Sequence, residues 1–304
     1  MANDSGPASL VASHETEART TRIPVSSQVQ VDLAALSHPG LVRKENEDHF
    51  IAGRFDRTMR TLATNLPEGN IPAEVTETCF AYLVADGVGG AVAGELASRT
   101  AVQALIDLVL DSPAWIMRFD GDCADLVLKR TAERFQKARE QLVAKAAEDP
   151  KLKGMATTVT FVCSAGHDLL TAHVGDSRAY VLRNGGGLER LTRDQTMAQS
   201  LADAGAIEQK DVEHHPSRHI LTSAIASRGV FAQVELKHFR IDDGDRLLVC
   251  SDGLTEMVPE ETIAKVLGEG EPAEKTCQRL VDLALEAGGK DNVTVVVAGY
   301  RIPA

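Results

Sequence analysis

Two hydrophobic periods alternate along the chain. Apolar and polar residues take turns over Gln28–Leu36 (QVQVDLAAL), which predicts a strand with one face buried. Cys79–Ala85 (CFAYLVA) is apolar without a break and reads as a strand covered on both faces. The period of two returns in Thr157–Ser164, Asp168–Val174 and Arg178–Arg183. Asn184 and the three glycines after it supply a hairpin turn into Leu188–Leu191. Strands this close in sequence are expected to be antiparallel neighbours. Further strands are expected over Phe231–Ile241, Asp245–Cys250 and Asn292–Arg301.

The helical period occupies the intervals. Gly94–Asp111 carries apolar residues at 97, 101, 105 and 108. Asp122–Glu148 places Leu128, Ala132, Phe135, Ala138 and Leu142 on one face, and Pro150 and Gly154 close it. Pro259–Gly268 and Glu271–Gly288 form a second helical pair, stopped at Gly288-Gly289. Helices that each bury one stripe should pack side by side over a sheet. The predicted fold class is therefore α+β: a four-layer α-β-β-α sandwich of two antiparallel sheets flanked by helix pairs. Three stretches fit neither period. Met1 to about Ser26 predicts a mobile tail, leaving 27–302 as a single domain. Gly53–Thr78, broken by Pro67, Gly69 and Pro72, predicts a short helix or extended excursion followed by turns. Thr192–Ser227, polar apart from a helical piece at Met197–Ala204, predicts a mobile surface flap.

Composition narrows the function classes. The net charge of −12 over 304 residues argues against non-specific nucleic-acid binding and against an anionic membrane surface. No apolar run approaches the ~20 residues of a membrane span, and the N-terminus lacks the apolar core of a secretory signal. The five cysteines are widely spaced, with no C-x-x-C pair, and read as reduced core thiols. A cytoplasmic protein, monomeric, is expected.

Candidate chemistry gathers at strand ends. The strand through Leu83 stops at Asp86, in ADGVGG, and Arg246–Gly253 (RLLVCSDG) repeats the pattern with Asp252. In KDNVTVVVAGY, Asp291 stands at the start of a strand instead. Any one of these alone is an ordinary Asp-Gly or Asp-Asn turn. Three strands that each deliver a carboxylate look like parts of one oxygen-rich site, which suits Mg²⁺ or Mn²⁺ better than zinc. In HPGLVRKENEDHF, Arg43, Glu47 and Asp48 crowd together, either as a solvated loop or as a phosphate-binding arginine beside cation-binding carboxylates. Asp176, in VGDSR, occupies a tight connection between two strands. His214, His215 and His219 invite zinc, but no cysteine or fourth close ligand accompanies them and Pro216 disrupts helical spacing.

RKENED (Arg43–Asp48), VADGVGG (Val84–Gly90), GMATT (Gly154–Thr158), VGDSR (Val174–Arg178), RDQT (Arg193–Thr196), CSDGL (Cys250–Leu254) and KDNVTVV (Lys290–Val296) follow one another in a fixed order. In this the chain resembles the metal-dependent protein serine/threonine phosphatases of the 2C type, in a bacterial style, over about residues 27–301. The resemblance implies the same sandwich, with metals in a cleft at one end of the sheets. It implies that Asp86, Asp252 and Asp291 hold a first Mn²⁺ or Mg²⁺. Asp86 and the Gly87 carbonyl hold a second, helped by Glu47 or Asp48 directly or through water. Asp176, with Asp252, resembles the pair that holds a weaker third metal in bacterial relatives. Arg43 resembles the phosphate-binding arginine, and Thr192–Ser227 the variable flap that helps to choose substrates.

The implied activity is hydrolysis of phosphoserine and phosphothreonine in proteins by a hydroxide bridging two cations, with Ser/Thr kinases and their substrates as partners. The chemistry suits these residue types, because a water shared by two cations loses its proton near neutral pH. Two departures stand out. Val88 and Ala91 occupy places where relatives carry histidines, one of them credited in eukaryotic relatives with protonating the leaving alkoxide. Ala156 replaces a glycine, which matters only if that position needs positive φ. Two other readings share this sequence: an inactive phosphoprotein-binding relative, and a phosphatase of small phosphorylated metabolites. No principal carboxylate is missing, which favours an active enzyme.

Overall fold

The computed structural model describes residues 25–110, 122–229 and 232–303. The expected N-terminal tail up to residue 24, the helix end expected at Asp111 and the strand start expected at Phe231 lie outside them. After a short 3₁₀ turn at Val25–Gln28 come strands β1 (Gln30–His38), β2 (His49–Arg60), β3 (Glu74–Ala85) and the two-residue β4 (Gly87–Val88). Helices α1 (Ala91–Leu110) and α2 (Asp122–Glu148) follow. Next are β5 (Ala156–Thr157), β6 (Val159–Ala165), β7 (Asp168–Val174), β8 (Arg178–Leu182) and β9 (Leu188–Arg190). The remainder is α3 (Met197–Asp203), β10 (Ile225–Ala226), β11 (Glu235–Arg240), β12 (Arg246–Cys250), α4 (Asp252–Thr255), α5 (Glu260–Gly268), α6 (Ala273–Glu286) and β13 (Val293–Arg301).

The strands form two five-stranded antiparallel sheets, ordered β1-β13-β12-β8-β9 and β11-β7-β6-β3-β2, and a small ladder β10-β5-β4. Three apolar layers hold them. Between the sheets, Tyr82, Val84, Val162 and Leu169 meet Val181, Leu247, Val249 and Tyr300. Outside one sheet, Ala97, Ala101, Phe135, Ala138 and Leu142 of α1 and α2 cover Leu83, Val159 and Val174. Outside the other, Ile263, Leu267, Leu280 and Val281 of α5 and α6 cover Leu248, Val295 and Val297. Alternate residues of β3 thus face two different apolar layers, which explains its unbroken apolar run. This is the expected four-layer sandwich. The phenols carried into its centre are satisfied: Tyr82 and Tyr300 hydroxyls lie 3.0 Å apart, and Ser164 Oγ is 2.8 Å from the Tyr300 hydroxyl. Cys79, Cys163, Cys250 and Cys277 are free thiols, the first and last two buried.

Two expectations are corrected. β7 and β8 are not neighbours, because β7 pairs with β6 and β11 in one sheet and β8 with β12 and β9 in the other. The chain steps between sheets at Gly175–Ser177. Gly175 has φ +108°, and Thr158 occupies the space a side chain there would need, so only glycine makes this step. Of the two forms expected for 53–78, a short helix or an extended excursion followed by turns, the extended one is found, but as part of the sheet and not as a separate excursion. β2 and β3 continue past the sandwich as a paired hairpin, Gly53↔Ala81 through Arg60↔Glu74, and only 61–73 is loop. The alternation is hidden in the sequence because Arg57 and Glu77 interrupt the face that carries Phe55, Met59, Val75 and Cys79.

Sheet direction gathers the strand ends of interest. β3 and β12 run toward the same edge of the sandwich, while β13, antiparallel to β12 (Cys250↔Val295), and β2, antiparallel to β3 (His49↔Ala85), begin there. β7 ends and β8 begins at that edge as well (Val159↔Val174, Cys250↔Arg178). Residues 48, 86, 176, 252 and 291, each one to three positions beyond a strand, are brought to it together.

Candidate metal centre

Local contacts fix each group. The Asp86 backbone is clamped by the two threonines of GMATT: its carbonyl accepts from Thr158 N (2.9 Å) and Thr157 Oγ1 (2.8 Å), and its amide donates to Thr158 Oγ1 (3.2 Å). Ala156 lies in β5 without positive φ, its side chain against Ala224 and Ala226, so the methyl is accommodated. Gly87 lies so close to the backbones of Gly94 and Glu47 that a side chain would overlap both, and a side chain on Gly94 would overlap the Glu47 carboxylate. Those two glycines seat Glu47 beside the Asp86-Gly87 turn.

The loop bearing Arg43, Glu47 and Asp48 is tied to the start of β13 by Asn292. Asn292 Nδ2 donates to the carbonyls of Pro39 (3.0 Å) and Glu45 (2.9 Å), and Asn292 Oδ1 accepts from Glu47 N (2.8 Å). Ser251 Oγ donates to Asp48 Oδ2 at 2.7 Å and accepts from Thr294 N at 2.9 Å. Arg43 is half-exposed and donates to Asp291 Oδ2 at 2.6 Å. Asn292 and Ser251 are positioning residues that the sequence reading passed over, although both sit inside quoted motifs, KDNVTVV and CSDGL.

The electrostatics are those of crowded like charges. Burial, then the charges of Asp252, Asp48, Asp176 and Asp291, push the Asp86 carboxyl well above the usual range. Burial likewise raises Asp176, with Asp252 the largest charge acting on it. Asp48 and Asp252 are each raised to about 7, chiefly by burial. The hydrogen bonds of Thr294 and Ser251 oppose the rise at Asp48, and Glu256 and Asp291 add to it at Asp252. Glu47 is raised by burial against the pull of Arg43. Asp48 Oδ1 is buried without a hydrogen-bond partner. An orphaned carboxylate oxygen amid five repelling carboxylates, all offering oxygen donors, fits hard divalent cations.

The site opens into a cleft of about 640 Å³, lined by Asp176, Asp252 and Glu256 on the floor and by His214, Arg218 and His219 from the 192–227 segment. That segment is closed on itself by Met197 N to Ile220 O and Thr222 N to Gln195 O, both 2.8 Å, and joined to the rest by Gln195 N to Gly175 O (2.8 Å) and Ser227 N to Met155 O (2.9 Å). The three histidines do not converge: His215 Nδ1 accepts from Ser217 N in its own turn (3.2 Å), while His219 turns to Glu256.

The sequence model of the family described as Protein phosphatase 2C matches residues 73–285. The chain is 38% identical over 265 residues to the serine/threonine protein phosphatase PstP of Mycobacterium tuberculosis, covering 87% of this chain and 44% of that protein. It therefore spans less than half the length of that relative. It is 34% identical over 217 residues to the serine/threonine phosphatase Stp of Listeria welshimeri, covering 71% of this chain and 82% of that one. The crystal structure of the PstP catalytic domain in complex with two manganese ions superposes with a TM-score of 0.69 at 33% identity, covering 90% of this chain and 99% of that one.

Proposed function

Because the chain belongs to the protein phosphatase 2C family, we propose that it is a metal-dependent phosphatase acting on phosphoserine and phosphothreonine in proteins. The observation that carries this reading is the meeting of Asp48, Asp86, Asp176, Asp252 and Asp291 at one edge of the sandwich, with the guanidinium of Arg43 bonded to Asp291 beside them. Asp86, Asp252 and Asp291 would hold a first Mn²⁺ or Mg²⁺. Asp86 and the Gly87 carbonyl would hold a second, with Glu47 or Asp48 in support. Asp176 and Asp252 would hold a weaker third. When bound, such a pair of cations acidifies the water between them and neutralises phosphate charge.

The protein's own groups do the rest. Asp86, held at both ends of its backbone by Thr157 and Thr158, keeps the two positions at a fixed separation. Arg43 is half-exposed beside Asp291 and would present paired donors to phosphate oxygens once it turns from that carboxylate. Val88 offers no proton to a leaving alkoxide, so that proton comes from solvent or from another group in the cleft. The phosphatases the chain resembles are named as serine/threonine phosphatases, PstP as a protein phosphatase, which favours phosphoproteins over small metabolites. Partner Ser/Thr kinases and their substrates are the proposed class, and a cytoplasmic compartment is the proposed location.

The test is phosphate release from phosphopeptides and p-nitrophenyl phosphate with and without millimolar Mn²⁺ or Mg²⁺. Metal-dependent release, lost in Asp86→Asn, supports the reading; an inert wild-type protein at several millimolar Mn²⁺ contradicts it.

A further inference from the structure

Cys79 of β3 and Cys163 of β6 bring their sulfurs within 2.8 Å of each other. Register explains the meeting. Cys163 stands opposite Ala81, two positions along β3 from Cys79, so the thiols are diagonal neighbours on one face of the sheet. Phe55, Ala165 and Leu170 pack around them in a small apolar cluster apart from the three main layers. The two thiols differ. Cys79 is buried, whereas Cys163 keeps part of its surface in solvent and lies within electrostatic reach of the Arg134 guanidinium on α2. A partly exposed thiol beside a cation is where an oxidant reacts first. The hydrogen bond with Cys163, then burial, raises the Cys79 thiol well above its ordinary range, so Cys79 keeps its proton. From their present contact the sulfurs need to close by less than about 1 Å to be bonded.

We propose that Cys79 and Cys163 are a dithiol that a peroxide oxidises to a disulfide, fastening β3 to β6 at the base of the β2-β3 hairpin. The Cys163 thiolate attacks one peroxide oxygen, the O–O bond breaks, and the hydroxide that leaves takes up the proton the thiol gave up. The resulting sulfenic acid sits against apolar side chains, with the Cys79 sulfur as its nearest nucleophile. Cys79 attacks the Cys163 sulfur, the S–S bond forms, the S–O bond breaks, and the hydroxyl departs with the Cys79 proton as water. Two electrons pass from the sulfurs to the peroxide oxygens, and an external dithiol reverses the bond by exchange. No residue of the cleft takes part. Asp86 is seven residues further along β3, about 23 Å away at the rise of a strand, so the bond leaves the cleft as it is. The proposal stands apart from the phosphatase reading.

The test treats the full chain with equimolar hydrogen peroxide, alkylates it under denaturing conditions, and maps its peptides by mass spectrometry without reductant. The expected product is a peptide pair joined through Cys79 and Cys163, with two of the chain's five thiols lost. Cys250 and Cys277, each buried and pushed up to about 12 by that burial, should stay free and alkylate in full. Cys163→Ser should lose no thiol. Cys79→Ala should stop at a sulfenic acid on Cys163, trapped by dimedone. Dithiothreitol should restore both wild-type thiols, and Mn²⁺-dependent release of phosphate from p-nitrophenyl phosphate should be equal before and after oxidation. Full alkylation of Cys79 and Cys163 after peroxide, sulfinic acid at Cys163 in place of the bond, or a disulfide through other cysteines overturns the proposal, and wild type alone decides among these. If the disulfide forms in a protein that releases no phosphate in either state, the dithiol stands and the phosphatase reading fails.

Discussion

The two ends of β3 are built from the same charged residue types and treat them in opposite ways. At the hairpin end each carboxylate has a cation: Arg57 meets Glu77, Arg60 Nε lies 2.8 Å from Glu74 Oε2, and Arg54 Nε lies 3.0 Å from Asp56. At the other end the strand runs into Asp86, among Asp48, Asp176, Asp252 and Asp291, where Arg43 is bonded to Asp291 alone. The hairpin neutralises itself pair by pair. The cleft leaves its charge for something that the chain does not encode. Paired charges at an exposed sheet edge contribute little to stability. Unpaired carboxylates in a cleft floor destabilise the metal-free protein and become useful only when cations arrive.

The widest separation between the two ends should appear in catalysis. Asp86→Asn or Asp252→Asn is expected to lower phosphopeptide hydrolysis by about a thousandfold or more, since each removes charge from the group that activates water. Steady-state rates at saturating Mn²⁺ check this. Arg43→Ala should cost about a hundredfold in kcat/KM, with a smaller loss in Arg43→Lys, because a point charge replaces a planar fork.

A subtler contrast concerns pH. Asp48 and Asp252 titrate near 7 in the folded, metal-free protein and near 4 when unfolded, so folding holds their protons between those values. Their contribution is full below pH 4 and is lost as pH rises through about 7. The thermal midpoint of the metal-free protein should therefore fall across that window, saturating Mn²⁺ should restore it at pH 8, and Asp252→Asn should raise it there. A metal-free midpoint that climbs from pH 5 to 8, with no gain from Asp252→Asn, would refute the charge-crowding account. Smallest of all, Arg60→Ala at the hairpin should shift stability by less than about 1 kcal/mol and leave hydrolysis unchanged.

The parts of this contrast were unequally legible in the sequence. Asp86, Asp252 and Asp291 announced themselves because apolar strands of unmistakable period end or begin at them; antiparallel pairing of β12 with β13 brings Asp252 and Asp291 to one edge, and Asp86 reaches it from the facing sheet. Asp176 was legible as a turn residue but not as a crossing. Spacing between two strands does not say whether the link is a hairpin or a step between sheets, and the Thr158 contact that makes Gly175 obligatory is long-range. The hairpin beyond Gly53 escaped because Arg57 and Glu77, paired with each other, interrupt the face formed by Phe55, Met59, Val75 and Cys79, so the period of two is broken. Asn292 and Ser251 work through hydrogen bonds to residues about 245 and 203 positions away, which no local pattern records. His219 and Glu256 likewise meet only when the 192–227 segment folds over α4.

The most direct test of the convergent site is anomalous diffraction from crystals soaked in Mn²⁺. The expected result is two strong peaks near one another, contacted by Asp86, Asp252 and Asp291, with Asp86 touching both. Peaks scattered elsewhere on the surface, with Asp86 and Asp252 turned apart and sharing no ion, would contradict it.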